Sequence, residues 1–136
     1  AYGVAFVDHN EIDKINILNA SILAMHKALQ MLTQVPDHIL VDGHRFKPYK
    51  NIQHSCIIKG DGKYKSIAAA SILAKTERDF FMKKLHAEYP VYAWKKNQGY
   101  PTKEHRNAIK KHGISPYHRK SYKLIDTQIS IDFPSE

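Results

Sequence analysis

Three blocks decide the fold: Val41-Asp42-Gly43, Lys59-Gly60-Asp61, and Ser66-Ile67-Ala68-Ala69-Ala70-Ser71-Ile72-Leu73-Ala74-Lys75-Thr76-Glu77-Arg78-Asp79. Asp42 follows the apolar run Ile39-Leu40-Val41, and Asp61 follows Cys56-Ile57-Ile58 and sits between Gly60 and Gly62. Two short apolar runs thus each end in an aspartate beside glycine, the pattern of a strand that delivers a carboxylate to a sheet edge and then turns away. In an open α/β sheet such strand ends converge, so side chains placed there share one ligand. The third block predicts a helix from an N-cap at Ser66 to about Glu88, stopped by Tyr89-Pro90. Its first half is small enough to pack closely on a sheet. Its second half is amphipathic, with Phe81 and Leu85 set inward and Lys83 and Lys84 outward.

Upstream, residues 1–7 alternate larger and smaller side chains and read as a strand. Asp8-His9-Asn10 forms a polar turn, residues 11–15 suit a short helical turn, and Asn16 caps a longer helix running to about Leu32. Ile15, Leu18, Ile22, Met25, Leu29 and Leu32 recur at steps of three and four and mark its buried face; Met25 and Met31 serve packing. Residues 38–42 form the next strand, so strand, helix and strand make a parallel βαβ unit with a right-handed crossover. Residues 43–53 are an exposed basic loop, and residues 54–58 are a third strand.

Downstream, residues 91–101 read as a loop in which Tyr92, Trp94 and Tyr100 interleave with Lys95 and Lys96. Thr102 caps a helix ending at Gly113, and Ser115-Pro116 starts one more short turn. Residues 126–136 carry no helical signal and suit an edge strand or a frayed end. Neither a repeat nor a dividing linker is present. The expected architecture is one α/β domain over 1–136, with a parallel βαβ core, flanking helices and a basic helical and loop region at about 91–125.

At 136 residues the chain is long enough for one hydrophobic core. Its formal charge is +8 and its pI about 9.5. That surplus points to a polyanion, nucleic acid before anionic membrane, or to a solvated basic surface with no such partner. The single cysteine, Cys56, lies in an apolar run and reads as a buried, inert thiol in a reducing compartment. No signal peptide opens the chain, and the apolar stretch 67–74 is too short to span a bilayer, so the expected location is cytoplasmic, with no membrane partner. Nine histidines raise the question of zinc, yet no C-x-x-C or H-E-x-x-H spacing occurs.

Two aspartates at strand ends suit a hard divalent cation such as Mg²⁺ or Mn²⁺, which takes oxygen ligands. Such a cation also removes the repulsion between a carboxylate and an anionic phosphodiester. Read alone, either Asp-Gly pair is more often a plain turn than a ligand site.

The wider pattern resembles bacterial ribonuclease HII. The blocks that carry the resemblance are Glu11-Ile12-Asp13 with Ile15-Asn16-Ile17-Leu18-Asn19-Ala20, the two aspartate turns, the helix from Ile67 to Asp79, Asn97-Gln98-Gly99-Tyr100-Pro101-Thr102, and His118-Arg119-Lys120-Ser121-Tyr122. They occur in the family's order. The resemblance implies a ribonuclease H-like fold and a metal-dependent endonuclease using Mn²⁺ or Mg²⁺. It would cut RNA/DNA hybrids, and duplex DNA on the 5′ side of single embedded ribonucleotides. It implies Asp42 and Asp61 as catalytic metal ligands, matching the family's third and fourth active-site carboxylates. Tyr100 matches the tyrosine that packs on the sugar beside the ribonucleotide, while Lys59 and Lys75 are placed to receive phosphates. Arg78 and Asp79 serve either substrate or an ion pair that pins the helix.

The family's Asp-Glu-x-Gly-Arg-Gly motif does not occur in this sequence. Its first strands and two carboxylates are therefore expected outside it, so that the fold is truncated at its amino end and the chain alone is inactive or nearly so. The complete enzyme is expected to be a monomer. The alternative from another class is a basic nucleic-acid-binding module without chemistry, in which both aspartates merely cap turns.

Overall fold

The computed structural model describes residues 1–121; the expectation for residues 126–136, and Tyr122 of the late basic block, lie outside them. Helix α1 spans His9–Gln30, strand β1 His38–Asp42, strand β2 Gln53–Ile57, helix α2 Lys65–Glu88, helix α3 Trp94–Asn97 and helix α4 Lys103–His112. A 3₁₀ turn at Gly60–Gly62 leads into α2, and another at Pro90–Tyr92 leads out of it.

Capping side chains set the helix limits. Asp8 Oδ1 accepts from the amide of Glu11 at 2.9 Å and starts α1. At Asn16 the backbone turns left-handed (φ 65°), and Asn16 Oδ1 accepts from the amide of Asn19 at 3.1 Å, so the helix restarts there as the sequence predicts. Thr102 Oγ1 accepts from the amide of His105 at 3.2 Å and starts α4, which Gly113 ends at φ 77°. Ser66 is not a cap: α2 begins at Lys65 after an extended Tyr64, and no side chain closes its first turn.

β1 and β2 are parallel, paired from His38 with Gln53 to Asp42 with Ile57. No helix joins them. The connection is the loop 43–52, pinched by a bridge between Tyr49 and Ile52, and it contributes to the core instead of merely spanning it. Tyr49 is buried with Ile39 and Val41, and Met25 and Leu29 of α1 pack on this cluster with Phe46 and Ile52. The predicted βαβ unit is thus corrected, because residues 1–7 form no strand. They run along α1, with the backbone of Gly3 so close that a methyl there would lie 2.3 Å from the Ala28 carbonyl oxygen.

A second cluster unites Met82 and Leu85 of α2 with Tyr92, Trp94 and Ile109, and Tyr89 and Ala108 pack against it. Three further expectations fail here. Phe81 is exposed, its ring 5.5 Å from that of Phe6, because the inward row runs through Met82 and Leu85. Ala69, Ala70 and Ile72 are exposed, since a two-stranded sheet covers only the start of α2, where Ile67 is buried. Residues 91–101 are a 3₁₀ turn and α3 more than a loop, because the buried rings of Tyr92 and Trp94 fix the backbone. Cys56 is a fourth: it is exposed although its strand partner Val41 is buried.

Candidate active site

Asp42 is the last residue of β1, and the strand pairing brings it level with Ile57, three residues before the 3₁₀ turn. Its Oδ1 accepts from the amide of Gly60 at 2.9 Å, so the carboxylate lies directly against the turn that carries Asp61. Space at Gly60 is limited on the helix side: a methyl there would come 2.6 Å from Ile67 Cδ1, the tip of a flexible side chain, but only to ordinary contact, 3.4 Å, with Asp42 Oδ1. Asp61 Oδ1 accepts from the amide of Gly62 at 3.0 Å, and Asp61 is exposed. Lys59 precedes the turn in a left-handed conformation (φ 55°), with its side chain exposed.

The two aspartates, one at a strand end and one on the turn that its carboxylate touches, supply hard oxygen donors of the kind Mg²⁺ or Mn²⁺ prefers. Among the described residues, no group of three or more His, Cys, Asp or Glu gathers that could hold a metal ion. The donors fit such a cation in kind, then, but remain few in number.

Tyr100 sits in the turn after α3, with its ring exposed. It borders a groove of about 820 Å³, whose walls also include Phe6, His9, Arg78, Tyr117 and His118; neither Asp42 nor Asp61 lines it. The turn is tied from α2 by Arg78, whose Nη2 donates to the Gln98 carbonyl at 2.9 Å. Lys75 and Asp79 pair at 3.1 Å on the same helix. Asp79 thus pairs with Lys75 and not with Arg78, while Arg78 anchors the tyrosine turn and lines the groove beside it.

The late basic block finds its partner in Asp13. That carboxylate accepts from Arg119 Nε at 3.2 Å, from the amides of Lys120 and Ser121 at 2.8 and 3.3 Å, and from the Ser121 hydroxyl. The Ser121 hydroxyl foremost, then Arg119 and the two amides, hold its carboxyl down at about 2. No local spacing reveals this contact, because its partners stand more than a hundred residues apart in the chain.

Beside it, His118 is buried, its ring 5.2 Å from His105 and nearly parallel to it. The amide of Ser115 donates to His118 Nδ1 at 2.9 Å, which puts the ring proton on Nε2, an atom without a hydrogen-bond partner among the described residues. Burial chiefly, then the neighbouring His105, pushes its pKa down to about 4. Below the ordinary value of 6.5 the unfolded chain takes a proton that the folded ring refuses. The His118 contribution to stability is therefore expected to fall by about 2 to 3 kcal/mol between pH 6.5 and pH 4 and to level off below. Thermal melts of the native chain and His118→Gln across that range check this: the variant should lose most of the slope, and equal slopes would refute it.

A family model described as ribonuclease HII matches residues 1–125. Ribonuclease HII of Christiangramia forsetii is 72% identical over 132 residues, covering 97% of this chain and 67% of that protein. Ribonuclease HII of Parabacteroides distasonis is 58% identical over 133 residues, with 98% and 67% covered. That of Phocaeicola vulgatus is 56% identical over 134 residues, again with 98% and 67% covered. The chain spans about two thirds of the length of these relatives.

Proposed function

The chain belongs to the ribonuclease HII family, a family of ribonuclease H-type hydrolases with a ribonuclease H-like α/β fold, and from that premise we propose its substrate, metal and site residues. The substrate is an RNA/DNA hybrid or a DNA duplex with an embedded ribonucleotide, cut on the 5′ side of the ribonucleotide. The setting is ribonucleotide removal during replication and repair in the cytoplasm, by an enzyme that is monomeric when complete. The observation that carries this reading is the hydrogen bond from Gly60 to Asp42, which brings one aspartate onto the turn of the other.

Asp42 and Asp61 would hold a divalent cation, Mn²⁺ or Mg²⁺. Once bound, the cation offsets the charge of the phosphodiester and of the departing 3′-oxygen. The chain's own part is to position. Gly60 fixes one Asp42 oxygen, Lys59 beside the same turn meets a phosphate, and Lys75 offers a second cation along α2. Tyr100 packs its exposed ring on the sugar, where a 2′-hydroxyl alters the contact, and so distinguishes RNA from DNA. The basic region 91–125 lies along the duplex as part of a single domain, 1–136. No described helix is long and apolar enough to cross a membrane.

Two carboxylates leave a cation loosely held, so the 136-residue chain alone is expected to cleave a single-ribonucleotide duplex negligibly with Mn²⁺. Joined to the additional third of the Christiangramia forsetii relative, it should cleave in a Mn²⁺-dependent manner. Brisk cleavage by the chain alone, with contaminating nuclease excluded, would overturn the assignment of an incomplete site. The small donor set also favours a second reading, a basic nucleic-acid-binding module without chemistry. Salt-sensitive binding that ignores Mn²⁺, ignores the ribonucleotide, and yields no cleavage after the extension would establish that reading instead.

A further inference from the structure

Tyr100 shows a contrast between backbone and side chain. Its ring is 68% exposed, yet its amide donates to the Asn97 carbonyl at 2.8 Å and its own carbonyl accepts from the amide of Thr102 at 2.8 Å. The residues just before it are conformationally costly. Gln98 is left-handed at φ 50°, a region that side chains other than glycine seldom adopt, and Gly99 follows at φ 82°. Such a turn persists only when its surroundings over-determine it: Arg78 holds the Gln98 carbonyl from outside, and Asn97 holds the turn from within.

Asn97 is 5% exposed and uses both ends of its amide. Nδ2 donates to the Tyr92 carbonyl at 2.7 Å, and Oδ1 accepts from the amide of Gly99 at 2.9 Å. The Tyr92 carbonyl also meets His105 Nδ1 at 3.2 Å, so the same oxygen joins the tyrosine turn to α4. A side chain with one donor and one acceptor end is required here; neither Asp nor Leu of similar size supplies both. The amide spans the turn from the buried aromatic cluster to the N–H of Gly99, the residue before Tyr100.

We propose that Asn97 is a positioning residue for discrimination of ribonucleotide from deoxyribonucleotide, acting through Tyr100 by locking the turn that presents its ring. This rests on the reading that Tyr100 contacts the sugar. Asn97 itself touches no substrate. Its effect is to hold the ring in the one place where a 2′-hydroxyl is felt, at no cost in ordering when the duplex arrives.

The test needs no catalysis. Fluorescence anisotropy of the purified 136-residue chain at low salt gives its affinity for a duplex with one ribonucleotide relative to the same duplex in DNA. Tyr100→Ala should abolish that ratio, by on the order of fivefold, the low end for loss of an aromatic contact to a nucleotide. Asn97→Ala should reduce it to the same degree, and the double variant should fall no further. Asn97→Ser keeps a hydroxyl but is too short to span from the Tyr92 carbonyl to the Gly99 amide, so it serves as the second variant if Asn97→Ala melts at room temperature; it should also lose the ratio. In both variants the amide of Gly99 should exchange its hydrogen faster, whereas that of Leu85 should not.

An unchanged ratio in a folded Asn97 variant, or additive losses in the double variant, would overturn the proposal. A ratio that survives Tyr100→Ala, or a native chain that shows none, would instead remove the reading of Tyr100 on which the proposal stands.

Discussion

Asp42→Asn, introduced into the chain joined to the additional third of a relative, is expected to slow cleavage of a ribonucleotide-containing duplex by on the order of 10³-fold, the scale for removing a group that acts on transition-state charge. Thermal stability should change by no more than about 3 °C. The two effects separate because asparagine keeps a carbonyl oxygen for the Gly60 amide but carries no charge. Asp61→Asn should behave alike, since its Oδ1 serves only the amide next to it. Single-turnover cleavage beside a melting curve checks both. Activity within tenfold of the unsubstituted protein in either folded variant would show that the aspartate holds no essential cation.

Trp94→Ala is the largest expected loss of stability. Its side chain is 3% exposed, stacked at 5.1 Å on Tyr92 and edge-on to Tyr89 at 6.0 Å. Removing a buried aromatic ring costs about 3 to 5 kcal/mol through lost transfer energy and the cavity left behind. For a chain of this size that corresponds to a fall in Tm of about 10 to 20 °C. Phe80→Ala removes a ring that is 69% exposed and should change stability by less than about 0.5 kcal/mol. Calorimetry of the pair decides: similar falls for both would mean that the cluster around Trp94 is not the main core.

Much of the local structure was legible in the sequence because local chemistry sets it. Asn16 and Thr102 cap helices through their own side chains, and Gly113 ends α4 with a conformation that glycine favours. The ends of β1 and β2 were readable from apolar runs meeting Asp and Gly. What escaped depends on neighbours distant in the chain. The alternation in residues 1–7 describes side chains suited to a strand, but pairing needs a partner edge, and here the segment lies on α1. Phe81 fits the inward row by spacing alone, yet Met82 and Leu85 take the buried places because Tyr92 and Trp94 approach from their side. Cys56 reads as buried from its apolar neighbours, yet it is exposed although it shares a face with the buried Val41. In the candidate site the two aspartates and Tyr100 stood out by motif. Asp13 and Asn97 lay inside the matched blocks without a role, since an acid in a helical turn and an amide in a loop acquire their roles only from folded partners.

Gly60 is hemmed in unequally. A methyl at that position meets the tip of the Ile67 side chain at 2.6 Å but stands at ordinary contact distance, 3.4 Å, from the Asp42 carboxylate. A small replacement is therefore absorbed first by a turn of the Ile67 side chain, so that crowding here reaches the packing of α2 on the sheet before it reaches the chemistry.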